Sequence, residues 1–180
     1  MRTKTSLAFM LLMSALPSIS SSNPQITGAF GIHLGKKYDG KVTAPSFLQE
    51  AYLPDNDLEY RQIEDPPIPN IQFTNYFIVQ DELGITVAIY AYKMHPRQTC
   101  SEALTPLESA LTRKYGMLTK TIINSDEYDG FFFESTTNRS VFAACQTLLI
   151  NPVVGIFYAD ENLVSRYFEQ VGKAADDSGL

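Results

Sequence analysis

Hydrophobic and polar positions change their period several times along this chain, and each change predicts an element. Residues 76–80 (YFIVQ) and 85–92 (ITVAIYAY) are β-branched and aromatic runs separated by Asp81-Glu82-Leu83-Gly84, the pattern of a β-hairpin. Upstream, residues 26–34 (ITGAFGIHL) are apolar and punctuated by Gly28, Gly31 and Gly35, and they read as a first strand that opens the sheet. Residues 45–53 place Phe47, Leu48, Ala51 and Tyr52 on one side of a short helix that Pro54 stops. From 54 to 70 the text is rich in proline and acid with little periodicity, which reads as a long surface loop or edge segment.

Two helix starts compete after His95-Pro96: Thr99 with Glu102, and Thr105 with Glu108, each a threonine followed three residues later by glutamate. The second is favoured because it sets Pro106 at the first helical position, whereas a start at Thr99 encloses that proline. The expected helix runs over 106–115, with Leu104, Leu107, Leu111 and Tyr115 marking its buried side and Gly116 ending it. Four strands are expected over 119–158, broken by turn signals at Asp129-Gly130, around residues 136–138 and at Asn151-Pro152. Residues 141–150 are nearly all apolar and read as a central strand covered on both faces. Asp160 then caps a last helix with Leu163, Val164, Tyr167, Phe168 and Val171 in one stripe, ended by Gly172. The expected fold is α+β, an antiparallel sheet of about six or seven strands with two main helices on one face. It forms a single domain over 23–172, followed by a polar tail over 173–180.

The first 22 residues stand outside this pattern. Arg2 and Lys4 precede an apolar run over 7–16, then Pro17 and serines, which are the three parts of a secretory signal peptide. The run is shorter than the roughly 20 apolar residues a spanning helix needs. Export to the periplasm or beyond is therefore expected, with cleavage near residues 20–22 and no stable membrane insertion afterwards. Loss of Arg2 and Lys4 lowers the basic count from 14 to 12 against 20 acids, and the formal charge from −6 to −8. Nucleic acid is a poor partner for such a surface, whereas a basic protein is electrostatically allowed. The two cysteines, Cys100 and Cys145, both follow the leader, and an exported protein normally pairs them. Neither has the CxxC spacing of a metal or redox site.

The segments FGIHLG (30–35) and TRKYG (112–116), with the two cysteine-bearing segments, resemble small exported proteins of Gram-negative bacteria that open with an FGxxLG-like motif. The resemblance brings no activity with it.

Candidate chemistry is sparse. His33 and His95 stand in no acid–base motif, and GxSxG, HExxH and SxxK are absent from the sequence. Asp55, Asp57 and Glu59 alternate as calcium ligands sometimes do, but Tyr60 occupies the place where an EF-hand loop needs glycine. GAFGIHLG lacks the phosphate-binding GxGxxG spacing, and the single sequon at Asn138 matters only in a eukaryotic secretory pathway. No catalytic residue, metal or cofactor is expected. The most suggestive stretch is DEYDGFFFE, where Phe131 and Phe133 must share one strand face and Phe132 take the other. An aromatic ring near solvent beside acidic residues suits a protein-binding surface, so Asp126, Glu127, Tyr128, Asp129 and Phe132 are the expected partner contacts. The expected function is an exported binding module, of inhibitor or immunity type toward a basic envelope-acting enzyme. The competing readings are an envelope enzyme with Asp126 and Asp129 as its acid–base pair, and a dimeric structural or assembly component.

Overall fold

The computed structural model describes residues 25–50, 52–53, 57–96, 98–116, 119–124, 129–135, 137–148 and 151–177. The expected signal segment over 1–22 and Asp126, Glu127 and Tyr128 lie outside the described residues. The expected hairpin is present as β5 (Asn75–Gln80) and β6 (Thr86–Met94). Asp81 Oδ1 fixes the turn by accepting from the Leu83 and Ile85 amides at 3.0 and 2.8 Å. This pair lies within one eight-stranded antiparallel sheet of order β3-β4-β5-β6-β10-β9-β8-β7. The remaining members are β3 (Val42–Thr43), β4 (Tyr60–Ile63), β7 (Thr119–Asn124), β8 (Asp129–Glu134), β9 (Arg139–Leu148) and β10 (Asn151–Asp160). After β6 the chain crosses one sheet face as α2 (Cys100–Tyr115) to the far edge, then returns strand by strand until β10 pairs with β6.

The α+β class and the antiparallel sheet stand as expected, but three details differ. Residues 26–34 do not join the sheet. They form a tight arch, β1 (Gly28–Ala29) and β2 (Ile32–His33), because Phe30 and Gly31 turn through φ of 56° and 77°. The proline- and acid-rich stretch supplies a further strand, β4, paired residue for residue with β5 through Tyr60–Val79 and Ile63–Tyr76. The sheet is therefore wider than six or seven strands. Finally, the helices do not share a face. Ile78, Ile89 and Ile156 bury against Leu104, Leu107 and Leu111 of α2. The alternate residues Phe77, Tyr90, Tyr92 and Val153 pack with Tyr167 of α3 (Glu161–Asp177) on the other face. β5 and β6 are apolar at nearly every position, so both of their faces need a cover, and one helix cannot provide both.

The helix ends are also instructive. α2 starts at the rejected site: Thr99 caps it, with its hydroxyl accepting from the Glu102 amide at 3.3 Å and Glu102 Oε2 accepting from the Thr99 amide at 2.8 Å. Pro106 sits inside the helix on an exposed side, where the Glu102 carbonyl that it leaves unbonded belongs to an exposed turn. Burial of Ala103 and Leu104 and the Cys100–Cys145 disulfide, with Cα atoms 5.5 Å apart, hold that first turn to β9. Asp160 caps α3 as expected, accepting from the Leu163 amide at 3.2 Å. The helix does not stop at Gly172 and continues to Asp177. The short helix near 45–53 is a single turn, α1 (Phe47–Glu50), with Phe47 and Leu48 exposed.

Candidate functional site

Two regions are candidates, one on each face of the sheet. The first is a cleft of about 470 Å³ between the arch, the 68–73 segment and α2. Its geometry explains the FGIHLG text. Phe30 adopts a left-handed backbone so that its ring meets Phe73, Tyr76 and Tyr158 edge-on at centroid distances of 5.6, 5.0 and 6.3 Å. Gly31 approaches Pro67 so closely that a Cβ would lie 2.7 Å from the proline side chain. The Phe30 carbonyl accepts from the Ile68 amide at 3.0 Å, and Leu34 is buried in the core. The motif is thus a packing device that pins the arch over the cleft. On the opposite wall Leu107, Ala110, Leu111 and Lys114 form one helical stripe at i, i+3, i+4 and i+7. Ile156 and Tyr158 of β10 form the floor.

A smaller pocket of about 110 Å³ adjoins it, lined by Phe73, His95, Gln98 and Glu102. His95, Gln98 and Glu102 already have partners. His95 Nδ1 lies 3.0 Å from Gln98 Oε1, and Glu102 is held by Thr99. Burial, offset in part by the Gln98 contact, moves the His95 pKa below its ordinary value. Hydrogen bonds from the Thr99 amide and hydroxyl hold the Glu102 carboxyl below its ordinary value. His33 is exposed on the arch at the edge of the large cleft, far along the chain from His95, which lines the smaller pocket. Among the described residues no group of three or more His, Cys, Asp or Glu side chains could hold a metal ion. No helix among them is long and apolar enough to cross a membrane.

The second region lies on the α3 face. In register across the sheet stand Phe77, Tyr90, Phe157, Phe142 and Phe132, five aromatic residues on five adjacent strands. Phe77 and Tyr90 are buried, whereas Phe157, Phe142 and Phe132 are half-buried. α3 packs on β6 and β10, so cover thins toward β9 and β8. Phe131 and Phe133 turn to the α2 face and are buried there. The structure separates two residues that sequence reasoning grouped. Asp129 pairs with Cys145 and shares the face of Phe131, while Phe132 projects from the other. Glu134, exposed and two residues from Phe132, is the acid on its face. Phe142 was not singled out from the sequence, because only the β8–β9 register places it beside Phe132. The strand 141–148 is likewise not covered equally on both sides, since Phe142 and Ala144 are only half-buried.

The disulfide Cys100–Cys145 joins the first residue of α2 to β9, with Cys145 in the core and Cys100 at its margin. It is a structural tie. No family model, no curated protein and no solved structure matches the chain.

Proposed function

We propose that this chain is an exported binding module of the bacterial periplasm that docks a basic protein on the outer part of the α3 face. The observation that carries the reading is the half-buried aromatic row Phe157–Phe142–Phe132, beside the exposed Glu134. Half-buried rings with an acidic flank suit an interface whose centre is aromatic and whose rim is charged. The acidic balance of 20 Asp and Glu against 14 Lys and Arg favours a partner of opposite sign and speeds its approach. The leader-like first 22 residues and the disulfide support an oxidising, extracytoplasmic site of action. An inhibitor or immunity role toward an envelope-acting enzyme fits a module of this kind.

The test is capture of partners from an envelope fraction by the protein and by Phe132→Asp and Glu134→Lys variants, with bound proteins identified by mass. The expected result is one stoichiometric basic protein, weakened at least about thirtyfold by Phe132→Asp, as for a central interface residue. Capture unchanged by both variants overturns the reading. Self-association abolished by Phe132→Asp would instead assign the face to a second copy of the chain.

A further inference from the structure

We propose that the cleft beneath the arch binds a free unbranched aliphatic carboxylate, with its chain on Leu107, Leu111 and Ile156 and its carboxylate at Lys114. The volume of about 470 Å³ lies in the range of small-molecule sites, which are apolar cavities with a few placed polar groups. The helical stripe runs from interior to solvent. Leu107 and Leu111 are buried, Ala110 is half-buried and Lys114 is exposed, so the charge stands at the mouth and the apolar wall behind it.

Charge selects the head group. The chain carries an excess of acids, yet the described residues lining this cleft include none, and Lys114 is their one permanent cation. Its ammonium lies 4.8 Å from the centroid of the Tyr115 ring, and no described carboxylate pairs with it. Arg113 and Lys114 together place two positive charges on the last turn of α2, which outweigh the roughly half negative charge of a helix end. An anion is attracted there while a cation is repelled. The Phe30 ring, held edge-on by Phe73, Tyr76 and Tyr158, lines the cleft with Leu107, Leu111 and Ile156, an apolar wall that suits an aliphatic chain.

This inference does not rest on the partner face, which lies across the sheet. The test is calorimetric titration of the purified protein with decanoate, octanoate, decanol and decyltrimethylammonium, each below its micelle concentration. Decanoate should bind one to one, about tenfold or more tighter than octanoate, which is two methylenes shorter. It should also bind at least about tenfold tighter than decanol or the cation. Lys114→Glu should reverse the preference between decanoate and the cation, and Ala110→Trp, which fills the cleft, should abolish both. Lys114 is exposed, so its variant keeps the test informative if Ala110→Trp fails to fold. Phe132→Asp should leave decanoate binding unchanged, which separates failure here from failure of the partner reading. No heat with decanoate, equal affinity for all three head groups, or indifference to Lys114→Glu overturns the proposal. Sedimentation with phosphatidylglycerol vesicles in the absence of decanoate binding would overturn it in favour of a membrane lipid surface.

Discussion

Arg139 shows how much one side chain can organise. It opens β9, and its Nε donates to Asp160 Oδ2 at 2.9 Å while the other oxygen of that carboxylate caps α3. Nη1 donates to the Ile26 carbonyl at 3.2 Å and Nη2 to the Leu34 carbonyl at 3.5 Å, so the same guanidinium clasps both feet of the arch. The planar fork of arginine suits this multiple donation in a way lysine would not. Side-chain exposures of 25% and 11% leave the pair only partly screened. Arg139→Ala should therefore lower unfolding stability by about 2–4 kcal/mol, below the full range for breaking a buried pair because some solvent reaches it. Urea unfolding measures the loss. A cost under about 0.5 kcal/mol, the usual size for a surface site, would show that the clasp is unimportant. In the sequence this residue is visible only as the middle of a glycosylation triplet, because its partners lie up to 113 positions away.

At the scale of elements, what could be read from the sequence was what local chemistry decides. The β5–β6 hairpin and the Asp160 cap follow from turn residues and capping side chains, and the cysteine pair agrees with the expectation of pairing drawn from a signal-like first segment. The start of α2 was misread because the penalty of an internal proline is local, while its compensation is not. Buried Leu104 and the covalent tie of Cys100 to β9 favour the longer helix. β4 was hidden for a similar reason. YRQI has no strong β pattern of its own and is made a strand by pairing with β5. In the candidate site, the alternation of Phe131, Phe132 and Phe133 was legible from strand period alone, but the Phe142 neighbour and the cleft were not. If the disulfide anchors the first helical turn, replacing both cysteines by serine should destabilise the protein by up to about 4 kcal/mol, the chain-entropy value for a 45-residue separation. Amide exchange should then quicken first in residues 100–105, N-terminal to Pro106. Unchanged stability and uniform protection along α2 would show that Leu104 and Leu107 hold the turn unaided.

For the whole molecule, the consequence of a sheet covered on both faces is that tyrosine serves as a core residue. Tyr60, Tyr90 and Tyr92 lie on the α3 face, and Tyr76 and Tyr158 on the α2 face. Burial withholds water from the phenolate form. Tyr92, buried and beside Tyr52, is pushed up to about 12, and burial raises Tyr90 and Tyr158 as well. An unfolded tyrosine loses its proton near pH 10. Below that pH both states keep the proton and the stabilisation is fully present. Above it the unfolded chain releases protons that the folded chain retains, so stability falls as pH rises from about 10 through about 12. The chain has ten tyrosines and no tryptophan, which makes tyrosinate absorbance a clean probe. In an alkaline titration some tyrosines should ionise near their ordinary value with the far-ultraviolet circular dichroism intact. The rest should ionise only as that signal is lost, in one steep step with the unfolding of both faces. Smooth ionisation of all ten near pH 10 without loss of the signal would contradict a sheet closed by tyrosine on both sides.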